Sequence, residues 1–195
     1  MSAISRRDLK AEFLRKGIHL LIAFVPALAA WNFSHTALFL MGGILFYTCA
    51  ESLRFLGFSP PFISTVTAAV LRRKERGHFA LAPVTLGLGA LLALLLFPPL
   101  PAAAAIYALA FGDSASALIG RFLGRIRPAF LLGKSLEGLI AGFAAAALGG
   151  YLVFHDWRAA LAVGLASFVV DVLPLGDFDN LLLPIAAGFA ALIFT

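Results

Sequence analysis

The sequence predicts an all-α protein that crosses a membrane several times as a single helical bundle. Of its 195 residues, 62% are hydrophobic and only 13% are charged, and the mean hydropathy is +0.98. This composition is typical of polytopic membrane proteins, and a helix in lipid satisfies its own backbone hydrogen bonds. Apolar runs separated by short turn signals predict about seven spans. The single cysteine, Cys49, excludes an internal disulfide and a Cys-rich metal site.

Residues 1–16 predict an amphipathic helix on the membrane surface, ahead of a membrane domain at residues 17–195. Apolar side chains such as Phe13 would face lipid, and the Lys and Arg side chains would face phosphate headgroups. The pair Arg6-Arg7 resembles a twin-arginine export signal. The further spans, and the polar residues at the mouth of the first span, argue against a cleaved leader.

The seven predicted spans are each ended by a polar, proline-rich or glycine-rich turn. They lie at 17–33, 36–56, 79–97, 102–122, 135–154, 159–173 and 181–195. Their connections lie at 32–35, 57–78, 98–101, 123–133, 155–158 and 174–180. The connection at 57–78 contains a basic cluster at 72–76. Gly138 and Gly142 in the fifth span predict close packing against another helix.

The charge distribution predicts a cytoplasmic N-terminus. With seven spans, 14 of the 15 Lys and Arg residues fall on the cytoplasmic side, and only Arg158 falls outside. This bias follows the positive-inside rule, and it accounts for the net charge of +5 without a nucleic-acid partner. Nine of the ten acids fall on the same side, the exception being Asp156. We therefore expect an integral protein of a prokaryotic cytoplasmic membrane with its active site on the cytoplasmic side.

Residues 112–138 carry the strongest functional pattern. Asp113 is an acid within an apolar helix, and an ionised carboxylate there costs roughly 3 kcal/mol unless it faces the bundle interior. Helical spacing places Ser116, Gly120 and Arg121 on the same face. A structural bond from Asp113 to one of these polar neighbours is the alternative to a role in ligand binding.

The start of the predicted fifth span is a second candidate site. Lys134 and Ser135 stand at a helix N-terminus, where backbone N–H groups and a cation favour an anion such as phosphate. The Gly-Lys-Ser sequence suggests a P-loop, but no strand precedes it and Pro128 stands where the first glycine belongs. Glu137 in the first helical turn would either bind a metal or favour the helix dipole.

Further acids and cations fall on the same side of the membrane. Asp171, Asp179 and Asn180 offer oxygen ligands of the kind that Mg²⁺ prefers, although Asp179 and Asn180 would equally cap a helix. Two more groups pair acids with bases at helical spacing, and an ion pair within each group is the alternative to ligand binding. These groups are Glu12, Arg15, Lys16 and His19, and Glu51 with Arg54.

Taken in order, these motifs resemble the CTP-dependent lipid-alcohol kinases, a family that includes dolichol kinase, phytol kinase and yeast-type diacylglycerol kinase. That family is similar in turn to phosphatidate cytidylyltransferases. The matching residues are Glu12-x-x-Arg15-Lys16-x-x-His19, Glu51 with Arg54, Gly112-Asp113, Gly120-Arg121 with Gly124, Lys134-Ser135-x-Glu137-Gly138, and Asp179-Asn180 with Pro184. Asp171 departs from the pattern, because the family is expected to have Glu there.

The resemblance implies Mg²⁺-dependent transfer of the γ-phosphoryl group of CTP to a lipid alcohol of the polyprenol, dolichol, phytol or geranylgeraniol type. It implies Asp113 and Asp179 as metal ligands, and Glu137 as either a third ligand or the base. The expected catalytic residues are Asp113, Glu137, Lys134 and Asp179. The expected nucleotide or phosphate contacts are Arg15, Lys16, His19, Gly112, Ser116, Gly120, Arg121, Gly124, Ser135, Gly138 and Asn180, supported by Glu12, Glu51, Arg54 and Asp171.

Two other functions stay open from the sequence. The same site would suit a cytidylyltransferase that forms a CDP-lipid. Alternatively, Asp113, Glu51 and Asp171 would line the ion or proton path of a small transporter. A transporter predicts polar residues at both membrane faces, whereas the predicted outer half is nearly bare. The particular lipid alcohol and the oligomeric state also stay open, with a homodimer among the alternatives.

Overall fold

The computed structural model describes the backbone of residues 6–58 and 78–195, and the side chains within them except those of residues 6–10 and 130. Both described ranges are helical and contain no strand, which confirms the all-α class. The helices are α1 (Arg6–Leu21), α2 (Val25–Trp31), α3 (Phe33–Phe55), α4 (Ala82–Leu96), α5 (Pro99–Tyr107), α6 (Asp113–Phe122), α7 (Leu136–Phe154), α8 (Trp157–Val172) and α9 (Asp179–Leu192). A π-helical turn, Ala108–Gly112, joins α5 to α6. The basic cluster at 72–76 lies outside the described residues.

Four helical stretches in the described ranges are long and apolar enough to cross a membrane. They are Ala11–Trp31, Phe33–Phe55, Pro99–Phe122 and Leu136–Phe154, with 21, 23, 24 and 19 residues. By contrast α4, α8 and α9 have 15, 16 and 14 residues. At 1.5 Å per residue, α9 is about 21 Å long, shorter than a hydrocarbon core of about 30 Å. The structure thus supports a membrane bundle, while the count of seven spans and the cytoplasmic N-terminus stay predictions.

The N-terminal helix boundaries differ from the predicted ones. α1 continues without a break across the predicted domain boundary at residue 16, and a candidate span begins within it at Ala11 and ends at Trp31. The surface helix at residues 1–16 stays a prediction. The predicted turn at 32–35 is a single residue, because Asn32 caps α3 by accepting a hydrogen bond from the backbone N–H of His35 at 3.0 Å.

The core lies among α4, α5, the π-helical turn, α7, α8 and α9, and consists mostly of small apolar side chains. Ala104, Ala105 and Ala108 are completely buried. Such small residues let helix backbones approach closely. Large apolar side chains lie instead on the outside, as with Phe39 and Ile193, which are 76% and 80% exposed. An apolar exterior of this kind is expected of a surface that meets lipid.

Glycines bring α6 and α7 together. A Cβ atom on Gly138 would lie 2.7 Å from the carbonyl oxygen of Ser116 and 2.8 Å from Cα of Gly120. A Cβ atom on Gly142 would lie 2.8 Å from Cβ of Ser116. The predicted packing role of Gly138 and Gly142 is therefore confirmed. This crossing sets the distance between the helix that carries Asp113 and the start of α7.

Candidate functional site

Most of the charged side chains in the described ranges gather at one end of the bundle. Helices joined by short turns run antiparallel. The end of α6 and the start of α7 therefore lie at the same end as the α8–α9 turn, and α1 packs against α6 there. Asp156 lies at the opposite end, where it caps α8 by accepting a hydrogen bond from the backbone N–H of Arg158 at 2.8 Å. The candidate site consists of the described acidic and basic residues at the end that holds the α6–α7 and α8–α9 connections.

Asp113 is the first residue of α6 and directly follows the π-helical turn Ala108–Gly112. Such turns insert a residue into a helix and frequently occur at functional sites. Oδ2 of Asp113 accepts a hydrogen bond from Nζ of Lys16, and Nδ1 of His19 lies 2.8 Å from the same oxygen without hydrogen-bond geometry. Both partners come from α1, so the alternative of a bond to a polar neighbour on α6 is wrong.

Glu12 joins two arginines across α1 and α6. Arg15 donates to Oε1 of Glu12 at 2.5 Å, and Arg121 donates to Oε2 at 2.9 Å. The Glu12 side chain is only 3% exposed, so both contacts are shielded from water. The predicted pairing of Glu12 with Arg15 is confirmed. Nε of Arg15 is buried without a hydrogen-bond partner in the described residues, which leaves it as a donor for an anion.

Asp171, near the end of α8, ties α6 and the start of α7 together. Its Oδ2 accepts a hydrogen bond from the Ser116 hydroxyl, and Nζ of Lys134 donates to Oδ1 at 2.9 Å and to the Asp171 carbonyl oxygen. Two predicted phosphate contacts, Ser116 and Lys134, are thus oriented by an acid that was assigned only a supporting role. An acid inside a predicted span was the one sequence signal for this role.

Asp179 begins α9, outside the four candidate spans, and lies in the same electrostatic environment. Burial and the nearby carboxylate of Asp113 raise the pKa of Asp179 to about 6, while the ammonium groups of Lys134 and Lys16 oppose the shift. Charges influence a pKa in this way only at short range. The structure therefore brings Asp113, Asp179 and Lys134 into one region at the end of the bundle.

The Glu137 carboxylate holds the loop that precedes α7. It accepts hydrogen bonds from the backbone N–H groups of Arg125 at 2.9 Å and Ile126 at 3.0 Å. These bonds orient the carboxylate toward the loop backbone. Its predicted role as a third metal ligand or as the base stays a prediction.

The predicted site residues near the α6–α7 loop contact the backbone of neighbouring segments. Ser135 caps α7 by accepting a hydrogen bond from the backbone N–H of Gly138 at 3.1 Å, and its hydroxyl lies 3.4 Å from the carbonyl oxygen of Gly120. Arg127 donates to the same Gly120 oxygen at 2.6 Å and also contacts the carbonyl oxygen of Gly124 at 3.5 Å. These contacts close the end of α6. Gly112 packs beside α7 and α8, where a Cβ atom would lie 3.1 Å from both Cβ of Ala146 and Oγ of Ser167.

Asn180 and Glu51 bind neighbouring helices. Nδ2 of Asn180 donates to the Thr85 hydroxyl of α4 at 3.2 Å, so this predicted phosphate contact joins α9 to α4. Glu51 is fully buried and accepts hydrogen bonds from Arg54 at 2.6 and 2.7 Å and from the backbone N–H of Ala80 at 2.8 Å. The predicted Glu51–Arg54 pair is confirmed. It fastens the end of α3 to the segment that leads into α4.

The candidate site lies below the end of α6. Ser116, which contacts Asp171, precedes Phe122 by six residues, or about 9 Å along the helix. The end of α8 therefore lies deeper in the bundle than the end of α6. Asp179, which begins α9, interacts with Asp113, the first residue of α6. The contacts of Asp113, Ser116 and Asp171 therefore lie inside the bundle, below the end of α6.

The carboxylates of Asp113 and Asp179 are donors of the kind that Mg²⁺ prefers. Mg²⁺ is usually bound by one or two carboxylates, with waters and phosphate oxygens completing its coordination. Asp113 and Asp179 repel each other, and a divalent cation between them would relieve that repulsion. No three His, Cys, Asp or Glu side chains come together as a metal site in the described parts of the chain. The metal roles of Asp113, Asp179 and Glu137 stay predictions.

Comparison with known proteins identifies no relative. The chain matches no family model, no curated protein and no solved structure. The resemblance to lipid-alcohol kinases therefore depends on the sequence motifs, and the function depends on the chemistry of the site.

Proposed function

We propose that this protein transfers the γ-phosphoryl group of CTP to the hydroxyl group of a membrane lipid alcohol in a Mg²⁺-dependent reaction. The observation that carries the proposal is the set of charged side chains at one end of a membrane bundle, where Lys134 contacts Asp171 and Asp179 interacts with Asp113 and Lys134. Phosphoryl transfer depends mainly on positioning and on stabilisation of charge, so a cluster of acids and cations suits it. The choice of CTP comes from the resemblance of the motifs.

Each part of the cluster has a role in this proposal. Asp113 and Asp179 would hold Mg²⁺, which neutralises charge on the phosphate oxygens. Lys134 and Arg121 would bind phosphate, each kept in position by its carboxylate partner. The lipid oxygen attacks the γ-phosphorus and the bond to the β-phosphate oxygen breaks, so that CDP leaves. The hydroxyl proton passes to a carboxylate of the cluster.

An apolar surface next to the cluster supports a lipid acceptor. The rings of Phe13 on α1 and Phe122 on α6 pack at 5.1 Å between centroids. Both remain well exposed, at 55% and 45%, beside the ion pairs that join the same two helices. A lipid chain would lie against this surface, with its hydroxyl group near the charged side chains of α1 and α6. The site would face the cytoplasm, where the predicted excess of basic residues lies.

The test is a screen of the purified protein with Mg²⁺ and CTP labelled at either the α or the γ phosphate. Polyprenol, phytol, geranylgeraniol and diacylglycerol serve as acceptors. We expect γ label, and no α label, in one of these lipids. We also expect Asp113→Asn to abolish the transfer while the protein elutes as wild type in size-exclusion chromatography. Transfer of the α label would indicate a cytidylyltransferase, and no transfer to any acceptor would contradict the proposal.

A further inference from the structure

We propose that His19 is a positioning residue for Asp113: its Nδ1 lies against Oδ2, the oxygen that also accepts a hydrogen bond from Lys16, so that Oδ1 is left to bind a divalent cation. This inference rests on the proposed metal role of Asp113. It gives His19 a different task from the phosphate contact that the sequence motif implies.

The two contacts from α1 fall on a single carboxylate oxygen. Nζ of Lys16 bonds to Oδ2 of Asp113, and Nδ1 of His19 lies 2.8 Å from it. The described residues place no hydrogen bond on Oδ1. The Lys16 and His19 side chains are 3% and 4% exposed, whereas that of Asp113 is 15% exposed. The Asp113 side chain is thus more exposed than the two α1 side chains that contact it.

This arrangement matches the way proteins orient the ligands of a metal. A carboxylate that binds a cation with one oxygen is commonly fixed by neighbours on the other oxygen, and loss of such a neighbour typically lowers metal affinity about 10- to 100-fold. Without the α1 contacts, the Asp113 carboxylate would rotate about its terminal torsion. His19 gives a cleaner test than Lys16, because removing Lys16 also removes a positive charge beside the cation.

The experiment measures Mn²⁺ binding by electron paramagnetic resonance on purified, nucleotide-free protein. His19→Asn keeps an amide nitrogen near the position of Nδ1, whereas His19→Gln moves it toward Nε2 and His19→Leu removes it. We expect the Leu and Gln variants to bind Mn²⁺ about 10- to 100-fold more weakly than wild type, and the Asn variant to bind like wild type.

Several results would overturn the inference. If His19→Leu and His19→Gln bind Mn²⁺ as tightly as wild type, His19 does not position Asp113. If these variants also show a raised KM for CTP, His19 is a phosphate contact. Equal loss in the Leu, Gln and Asn variants would assign His19 to packing alone. If His19→Leu does not fold, the difference in Mn²⁺ affinity between His19→Asn and His19→Gln decides whether His19 positions Asp113. Failure of the wild-type protein to bind Mn²⁺ would also overturn it.

The binding assay separates this inference from the proposed function, because it needs no turnover. If Mn²⁺ binds to wild type, is lost in Asp113→Asn, and binds more weakly to His19→Leu and His19→Gln but not to His19→Asn, the positioning role of His19 stands. If the same protein then phosphorylates none of the lipid alcohols, the proposed kinase function fails by itself.

Discussion

Substitution of Gly138 by alanine tests the close crossing of α6 and α7. The added Cβ atom would meet the carbonyl oxygen of Ser116 at 2.7 Å and Cα of Gly120 at 2.8 Å, so the backbone of one helix must move. Overpacking of this kind costs about 3 kcal/mol at the upper end of its range, and the better helix propensity of alanine returns about 1 kcal/mol. The net loss is thus about 2 kcal/mol, which lowers the melting temperature by roughly 4–8 °C for a chain of this size.

The assay is thermal unfolding in detergent, with Gly43→Ala as the matched control. Gly43 lies within α3, and a Cβ atom there meets nothing within 4 Å. The control should therefore keep or raise the melting temperature, since only the helix propensity changes. A displaced α7 should also shift Lys134 away from Asp171 and slow phosphoryl transfer. If Gly138→Ala and Gly43→Ala melt at the same temperature, the two helices do not cross as closely as described.

Three further predictions concern the buried polar contacts. Glu51→Gln leaves the partly exposed Arg54 guanidinium without its carboxylate, so we expect a loss of about 1–3 kcal/mol in unfolding free energy, partly restored when Arg54 is also replaced by Met. Asp171→Asn removes the anion that holds Lys134, and phosphoryl transfer should fall about 100-fold with little change in the melting temperature. Burial raises the pKa of Asp179 to about 6, so its ionisation disfavours the folded state. Without divalent cations, Asp179→Asn should therefore raise the melting temperature at pH 7.5, and this gain should shrink as the pH falls from about 6 toward 4.

Features that depend on composition or on one helix were predictable from the sequence. The apolar composition gives a helical membrane bundle, because lipid offers no other partner to the backbone. The pair Glu51 and Arg54 stands three residues apart, so a single helix brings the two side chains together whatever the fold. Gly138 and Gly142 likewise mark one helix face for close packing.

Contacts between distant parts of the chain were not predictable in the same way. Lys16 and Asp113 are 97 residues apart, and no local pattern links α1 to α6. Helical spacing placed Ser116 beside Asp113, but Ser116 bonds instead to Asp171 on α8. The π-helical turn before Asp113 changes the direction in which the following side chains point, and an inserted residue in an alanine-rich helix leaves no mark in hydrophobic periodicity. These partners depend on the packing of the helices.

The shortness of α9 links the fold to the proposed chemistry. Asp113 precedes Phe122 by nine residues, or about 14 Å along the helix. Asp179 begins α9, and the carboxylate of Asp113 raises the pKa of Asp179, so the two side chains interact although they belong to different helices. At 14 residues α9 is about 21 Å long, shorter than a hydrocarbon core of about 30 Å. The seventh span stays a prediction. In the proposed function, a short α9 would let Asp179 meet the Mg²⁺ and the nucleotide phosphates below the end of α6.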